Sequence, residues 1–112
     1  MKYTKENPKL VDRFFDFEGM ETFTGVVKDN LDIFAYYENG SFHREDGPAL
    51  EHNNGSKEWY LNGKCHREDG PAIEYPNGNK YYYLNNRYYG DIKNDHFTNE
   101  SWIRFIKLEL LK

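Results

Sequence analysis

The sequence has a single cysteine, no long apolar run and only a small excess of acidic residues. Cys65 alone cannot form an internal disulfide, which is typical of a reducing cytosol. No apolar stretch is long enough to span a bilayer, and Lys2, Lys5 and Lys9 precede no hydrophobic segment of the signal-peptide kind. The formal net charge of −4 opposes direct binding to nucleic acid, which attracts basic surfaces. We therefore expect a cytoplasmic protein with no membrane span and no direct nucleic-acid ligand.

Aliphatic side chains are also scarce, whereas aromatic residues make up 18% of the 112 residues. Tyr, Phe and Trp must therefore supply most of the packing between elements. The ten tyrosines exceed the number that a small core can enclose, so part of them should remain at the surface. The length predicts one domain, residues 1–112.

A 23-residue repeat organises the centre of the chain. The letters HREDGPA at residues 43–49 return unchanged at residues 66–72. Asn-Gly signals, which supply the positive φ of tight turns, separate short runs rich in Tyr, Trp and Ile. The predicted turns lie at residues 53–55, 62–63 and 77–78, and the predicted strands at residues 49–52, 57–61, 72–75 and 80–84. The fold is therefore predicted to be mainly β, an antiparallel meander of about three hairpin repeats over residues 25–90.

The repeat unit resembles a known family. Residues 59–66, with the letters WYLNGKCH, and the later Asn77-Gly78 resemble the MORN (membrane occupation and recognition nexus) repeat. The likeness is to the variant form found in bacterial and bacteriophage proteins. It implies a twisted array of antiparallel hairpins that serves as a scaffold or binding surface. The common repeat has a second glycine after the His, where this chain has Arg44 or Arg67, and this difference weighs against lipid binding.

The HREDGPA motif has a structural and a functional interpretation. In the structural one, the planar guanidinium groups of Arg44 and Arg67 stack on aromatic rings or pair with carboxylates, and Glu51 and Glu74 are the expected partners. Identical copies favour such a unit-to-unit role. In the functional one, the clustered His, Glu and Asp residues form a ligand site or the centre of a small hydrolase.

The histidines and the cysteine indicate neither a metal site nor a catalytic pair. His43 and His66 are equivalent in successive units, but Cys65 has no cysteine partner at the spacing that zinc sites use. Cys65 and His66 are adjacent, so in a strand their side chains point to opposite faces. We therefore predict structural histidines, no metal, no cofactor and no catalytic residues.

The C-terminal segment, residues 91–112, is predicted to form a helical cap. Apolar residues recur at helical spacing over residues 99–111, and Thr98 or Asn99 can serve as the N-cap. The charges of this segment form no basic face, so the amphipathic helix is expected to pack on the sheet rather than on a membrane.

The N-terminal segment, residues 1–24, is predicted to cap the first hairpin. Pro8 and Gly19 can start and stop a short helix. Phe15 and Phe17 also alternate as they would in a strand, so both structures are open for this segment.

Two columns of aromatic side chains are the candidate binding residues. Because side chains alternate between the faces of a strand, each aromatic pair of the repeat contributes one residue to each face. One column holds Tyr36, Trp59 and Tyr82, and the other holds Tyr37, Tyr60 and Tyr83. The terminal segments can fully cover only one face, so the other should expose an aromatic stripe flanked by Arg44, Arg67 and Arg87. Tyr, Trp and Arg dominate interface energetics, although such columns can also serve only as ladders that stabilise a thin sheet.

These features predict a non-catalytic protein-binding module. By analogy with variant MORN proteins of bacteriophages, we expect a small accessory protein that acts as a stoichiometric inhibitor of host machinery, such as a CRISPR effector or another defence nuclease. The alternatives are a peripheral lipid-headgroup or scaffold protein and a small hydrolase that uses the HRED clusters. Self-association through the sheet edges is a further expectation.

Overall fold

The computed structural model describes residues 2–110 of the chain. These residues form a mainly β structure with eleven short strands and a helical C-terminal segment. The strands are β1 (Lys9–Leu10), β2 (Gly25–Lys28), β3 (Phe34–Glu38), β4 (Ser41–Phe42), β5 (Leu50–Glu51), β6 (Lys57–Glu58), β7 (Tyr60–Leu61), β8 (Lys64–Cys65), β9 (Ile73–Glu74), β10 (Lys80–Leu84) and β11 (Arg87–Asp91). A 3-10 helix spans Met20–Thr22, the α-helix α1 spans Asn99–Phe105, and a π-helical segment continues it over Ile106–Leu110.

The strands form an antiparallel meander, as the repeat predicts. The order in the main sheet is β1-β2-β3-β5-β6-β9-β10-β11, and β4 pairs with the end of β3. Strands β7 and β8 form a separate two-stranded sheet. Strands β1 and β2 run parallel, and all other strand pairs within residues 2–110 are antiparallel. The mixed character of the main sheet therefore comes from the N-terminal cap alone.

Each repeat is built on one extended segment that has two partners. The first half of β3 pairs with β5, and its second half pairs with β4 across a tight turn. Residues 57–61 repeat this arrangement as β6 and β7, which are separated only at Trp59. The turn that follows has positive φ at both central residues, 50° at Asn62 and 78° at Gly63. The predicted hairpin turn is therefore confirmed.

Two further turns close the other side of the repeats. In the first, the amide of His52 donates to the carbonyl of Ser56 at 2.9 Å, and Gly55 has a φ of 97°. In the second, Gly78 occupies the same position with a φ of 92°. Glycine adopts such φ values without steric cost, and both predicted turns are confirmed.

The N-terminal cap is extended rather than helical. All of residues 7–19 lie within the described part of the chain, and none of them is α-helical. Strand β1 instead extends the sheet beside β2, and the amide of Val11 donates to the carbonyl of Lys28 at 3.0 Å. The edge of β2 thus satisfies backbone groups that a helix would satisfy internally. The strand lies at Lys9–Leu10, whereas Phe15 and Phe17, whose alternation suggests a strand, lie in turns and irregular structure. A short helix, the 3-10 turn Met20–Thr22, begins only after Gly19.

The C-terminal helix forms where the sequence predicts it. Thr98 is the N-cap: its hydroxyl oxygen accepts the amide of Ser101 at 3.1 Å, and Ser101 Oγ accepts the amide of Thr98 at 2.9 Å. This reciprocal pair is a capping box. Strict α-helical geometry ends at Phe105, and the predicted last helical residue, Leu111, lies outside the described residues.

The central aromatic pair, Trp59 and Tyr60, gives the two faces of the sheet their names. The Trp59 face carries Tyr36, Trp59 and Tyr82, and the Tyr60 face carries Tyr37, Tyr60 and Tyr83. Tyr37 and Tyr60 are linked on one side through the Phe42 ring, with centroid distances of 5.0 Å and 5.4 Å. The predicted alternation of the aromatic pairs is therefore confirmed.

The two terminal caps pack on opposite faces of this sheet. Phe14, Phe17 and Phe23 of the N-terminal cap pack around Tyr37 on the Tyr60 face. Trp102 and Ile106 of the C-terminal cap pack on Tyr82 on the Trp59 face. Each cap covers one end of one face, which differs from the expectation that the termini cover a single face. The C-terminal half of the Tyr60 face is left open, whereas the N-terminal half of the Trp59 face is partly covered by charged side chains: Lys5 lies over the Phe34 ring and Arg44 over the Tyr36 ring.

Candidate binding surfaces

The guanidinium groups of the motif arginines lie over aromatic rings of the Trp59 face. Arg44 Cζ lies 4.2 Å from the centre of the Tyr36 ring, and Arg67 Cζ lies 3.9 Å from that of Trp59. Each Nε donates to the aspartate two residues later, at 3.0 Å in the first repeat and 2.8 Å in the second. Each Nη1 donates to the carbonyl of the motif's proline at 3.1 Å. The two copies share one geometry, in which each arginine binds residues of its own repeat.

The predicted glutamate partners of these arginines are confirmed, with a difference between the repeats. Glu74 Oε2 lies 2.9 Å from Arg67 Nη1. Glu51 Oε1 lies 3.7 Å from Arg44 Nη1 and 3.1 Å from Lys5 Nζ of the N-terminal cap. Arg67 therefore has the closer carboxylate, because Glu51 is shared with Lys5.

The glycines and alanines of the motif serve the same contact. A Cβ atom at Gly47 or Gly70 would lie 2.8 Å from the guanidinium carbon of the neighbouring arginine. Only glycine therefore lets the guanidinium lie against the loop. Ala49 and Ala72, which end the motif, are fully buried in the sheet.

The histidines of the motif bind the hairpin turn of the next repeat. His43 Nδ1 accepts the amide of Asn62 at 2.9 Å, and His66 Nδ1 accepts that of Asn85 at 3.1 Å. An accepting Nδ1 places the proton on Nε2, and His66 Nε2 lies 3.1 Å from Glu68. These contacts support the structural interpretation of both histidines.

A groove of about 580 Å³ lies between the two HREDGPA loops. Trp59 and Leu61 line it, together with the two motif arginines. Its rim carries the exposed carboxylates Glu45, Asp46, Glu68 and Asp69. The arginines already bind partners within the chain, so the groove presents a mainly acidic rim to solvent.

The eight predicted binding residues differ in burial: two lie in the core and six are half-buried. Tyr82 is fully buried and Tyr37 is 5% exposed, so each is a core residue rather than a surface residue. Packing of Trp102 on Tyr82 and of the N-terminal phenylalanines on Tyr37 is the physical reason for this correction. The half-buried members of the set are Tyr36, Trp59, Tyr60, Tyr83, Arg44 and Arg67.

An exposed aromatic area, the tyrosine patch, lies on the open half of the Tyr60 face. It consists of Tyr75, Tyr81, Tyr83 and Tyr88. Tyr75 and Tyr88 are 42% and 48% exposed. Ring centres lie 5.8 Å apart for Tyr75 and Tyr81, and 5.3 Å apart for Tyr83 and Tyr88. Tyr81 and Tyr88, 6.4 Å apart, join the two pairs into one surface.

Of these four tyrosines, only Tyr83 belongs to the aromatic columns predicted from the sequence. Tyr81 alternates with Tyr83 along β10, and Tyr88 lies opposite Tyr83 across the last hairpin. The alternation rule, applied to both strands, would have found these two residues. Tyr75 reaches Tyr81 from the end of the neighbouring strand, which no pattern within a single strand indicates.

Carboxylates border the tyrosine patch at its C-terminal side. Asp91, which is 8% exposed, accepts the Tyr88 hydroxyl at 3.1 Å. The backbone amide of Asn94 lowers the pKa of Asp91 most, and the Asn94 side chain and the Tyr88 hydroxyl add to this effect. Burial, the hydrogen bond to Asp91 and the charges of Asp91 and Asp95 raise the pKa of Tyr88 to about 12. At this border the neutral phenol of Tyr88 therefore lies against the ionised carboxylate of Asp91 at neutral pH.

Glu58 marks the boundary between the covered and open halves of the Tyr60 face. Its Oε1 accepts the Tyr60 hydroxyl at 2.8 Å, and its Oε2 lies 2.9 Å from His52 Nε2. Cys65 is buried nearby, and burial followed by the charge of Glu58 raises the pKa of its thiol to about 12. The thiol is therefore protonated and weakly nucleophilic near neutral pH.

Comparisons with family models, curated proteins and solved structures found no match to this chain. The resemblance to the MORN repeat therefore stays a prediction carried by the sequence motif. Across residues 2–110, no helix is both long and apolar enough to cross a bilayer. The same residues bring no three His, Cys, Asp or Glu side chains together as ligands for a metal ion.

Proposed function

We propose that this chain is a non-catalytic protein-binding module whose contact surface is the tyrosine patch. The observation that carries the proposal is the open half of the Tyr60 face, where four packed tyrosines meet solvent. Tyrosine supplies a large, rigid and amphipathic contact area, and it is enriched at the energetic centres of interfaces. Tyr60 and Tyr83, two of the residues selected from the sequence, lie at this surface or at its border.

The repeated motif supports a binding module rather than the hydrolase alternative. The arginines, histidines and glycines of HREDGPA make the same internal contacts in both copies, as scaffold residues do. The acidic border of the tyrosine patch likewise favours a protein partner over an anionic lipid headgroup, which binds basic residues.

The module is proposed to act by occupying its partner at a fixed ratio in the cytoplasm. By analogy with variant MORN proteins of bacteriophages, the partner would be host machinery such as a CRISPR effector or another defence nuclease. The resemblance supports this choice of partner, whereas the patch supports only the binding step.

Truncating two exposed tyrosines tests this proposal. The tagged chain and its Tyr75→Ala/Tyr88→Ala variant are used to capture proteins from a lysate of the source cells, and the captured proteins are quantified by mass spectrometry. Both side chains lie at the surface, so the melting temperature should change little. Capture of the specific partner should fall at least about tenfold, because interface tyrosines of this kind each contribute about 2 kcal/mol or more.

The matched control is Leu31→Ala, which removes a 69% exposed apolar side chain outside the patch and should leave capture unchanged. With the partner purified, its inhibition should saturate at a fixed molar ratio. Inactivation by sub-stoichiometric amounts that increases with time would contradict the proposal and indicate catalysis.

A further inference from the structure

The half-buried rings of the Trp59 face carry cations of this chain, whereas the rings of the tyrosine patch do not. Lys5 Nζ and Lys28 Nζ lie 5.5 Å and 5.9 Å from the centre of the Phe34 ring. Arg44 and Arg67 cover their own rings on the same face. None of the cation–ring contacts within residues 2–110 involves a tyrosine of the patch. Within residues 2–110 no cation lies over the four tyrosine rings, of which Tyr75 and Tyr88 are exposed and Tyr81 and Tyr83 are half-buried.

The charge beside these rings is mainly negative. Asp91 lies behind Tyr88, and Asp95 Oδ2 accepts the Asp91 amide at 3.0 Å. None of the salt bridges in the described part of the chain involves Asp91, whose hydrogen-bond donors are all neutral. Lys80 and Lys93 lie with Asp91 in a small hollow that Tyr81 also lines. The carboxylates of Asp91, Asp95 and Glu58 outnumber these two lysines, and the charges of Asp91 and Asp95 act directly on Tyr88, so the patch attracts positive charge.

Two guanidinium groups of this chain, those of Arg44 and Arg67, are bound by the same combination of an aromatic ring and a carboxylate. In each HREDGPA repeat, an aromatic ring lies under the guanidinium plane, and a carboxylate accepts from Nε. The tyrosine patch offers ring faces beside carboxylates, the same two elements. Its missing element is the arginine, which another chain can supply.

We propose that the tyrosine patch binds an arginine-bearing, cationic segment of the protein partner. This inference rests on the proposed function and specifies the chemistry of the partner at the same surface. A guanidinium group gains from stacking on tyrosine and from the nearby carboxylates, and it is less strongly hydrated than an ammonium group. Single-stranded nucleic acid also stacks on aromatic rings, but its phosphates would meet the carboxylates that border the patch.

The test is a titration of the full-length, ¹⁵N-labelled chain with three peptides of equal length, followed by amide chemical shifts at low salt. The peptides consist of four repeats of Arg-Gly, Lys-Gly or Glu-Gly, with both ends blocked. The Arg-Gly peptide should shift amides of β10 and β11 and bind more tightly than the Lys-Gly peptide. The Glu-Gly peptide should cause no shifts there.

Two variants separate the contribution of the tyrosine rings to peptide binding from that of the negative charge. Tyr75→Ala/Tyr88→Ala should weaken binding of the Arg-Gly peptide about tenfold, since each exposed cation–ring contact changes affinity several-fold. Asp95→Asn keeps an oxygen that can accept the Asp91 amide but removes the charge, so it should weaken binding about two- to fivefold and reduce its dependence on salt. Leu31→Ala is the control, and circular dichroism with a melting curve checks the fold of every variant.

Equal binding of the Arg-Gly and Glu-Gly peptides would overturn the inference, as would shifts confined to the Trp59 face. Tighter binding of an eight-nucleotide thymidine oligomer at the same amides would replace it with a nucleic-acid ligand. If lysate capture depends on Tyr75 and Tyr88 but the Arg-Gly peptide does not bind, the proposed function stands and this inference fails. If the peptide binds at the patch but capture does not depend on these tyrosines, the cation site stands and the proposed function fails.

Discussion

Both ends of the sheet bury a tyrosine, but they do so on opposite faces and with different structural elements. At the N-terminal end, phenylalanines of an extended cap cover Tyr37 on the Tyr60 face. At the C-terminal end, Trp102 of a helix covers Tyr82 on the Trp59 face. Tyr36 is the sequence neighbour of the buried Tyr37, and Tyr83 is the sequence neighbour of the buried Tyr82. Since neighbours in a strand point to opposite faces, neither Tyr36 nor Tyr83 is covered by the cap that covers its neighbour.

Tyr36 and Tyr83 have different electrostatic surroundings. Tyr36 lies under Arg44, whereas Tyr83 belongs to a patch bordered by Asp91. The motif supplies an arginine in the first two repeats, but the equivalent position in the third is Gly90. Trp102 covers the ring of Tyr82 there, at a centroid distance of 5.2 Å. A helix thus replaces the motif arginine where the repeat ends, and the same scaffold acquires two chemically different surfaces.

Removing the Trp102 side chain should disrupt packing at the C-terminal end of the sheet, and we expect it to have the largest effect on stability. The side chain is fully buried, and its Nε1 donates to the Arg67 carbonyl at 3.0 Å. Trp102→Ala should therefore lower the free energy of unfolding by about 3–5 kcal/mol, as deletions of large buried aromatics do. Urea denaturation measures the change. Phe15→Ala, which removes a 54% exposed ring from the other cap, should change stability by less than about 0.5 kcal/mol.

A loss below about 1 kcal/mol for Trp102→Ala would mean that the helix is not needed to cover Tyr82. In that case the comparison of the two ends would fail, because only the N-terminal cap would contribute to the core. A retained melting temperature together with a changed near-ultraviolet circular dichroism spectrum would point to repacking of Phe97 and Phe105 over the same ring.

The two motif arginines should differ in their effect, and this difference sharpens the comparison between repeats. Arg67 stacks on the larger ring and lies 2.9 Å from Glu74, whereas Glu51 is 3.7 Å from Arg44. Arg67→Ala should therefore cost about 2–3 kcal/mol and Arg44→Ala about 1–2 kcal/mol, with a loss of a few kcal/mol for the double variant. Thermal and urea denaturation measure the loss of stability for each variant.

The control for the arginine series is Arg67→Lys, which keeps the charge but loses the planar stack and the fork of donors. It should recover only part of the loss seen for Arg67→Ala. Unchanged melting temperatures combined with lost capture of a partner would show that Arg44 and Arg67 are ligand residues, and the structural interpretation of the motif would be wrong.

The repeat made the sheet predictable because its signals are local. The turn at Asn62-Gly63 follows from residues that tolerate positive φ, and the N-cap of the helix follows from Thr98. The glutamate partners of the arginines also followed from the period, since Glu51 and Glu74 hold equivalent positions in neighbouring units. Each of these inferences needs only residues within a few positions or one repeat.

The caps and the open surface were not predictable in the same way, because they depend on contacts between distant segments. The edge of β2, about 18 residues away, is the partner that selects a strand over a helix at Lys9–Leu10. The face chosen by each cap likewise depends on how Phe14 or Trp102 packs on the sheet. The tyrosine patch follows from that choice, so Tyr75 and Tyr88 could not be selected before the covered faces were known.

The smallest effect is expected from the buried thiol at the border between the covered and open halves of the Tyr60 face. An unfolded chain has a cysteine pKa of about 8.5, whereas burial beside Glu58 raises the pKa of Cys65 to about 12. Between these values the unfolded chain loses the thiol proton and the folded chain keeps it. The thiol's contribution to the free energy of unfolding is therefore fully present below about pH 8.5 and is lost as the pH rises toward 12.

Urea denaturation from pH 7 to pH 9 can isolate this contribution, because tyrosine and lysine in an unfolded chain have pKa values near 10 and titrate mainly above this range. The free energy of unfolding should fall with a slope of less than about 1.4 kcal/mol per pH unit, the limit for one titrating group. Cys65→Ser carries a hydroxyl that does not titrate in this range, so its stability should be nearly constant over the same window. Parallel curves for the two proteins would show that the thiol titrates normally, and that solvent reaches the covered half of the face past Tyr60.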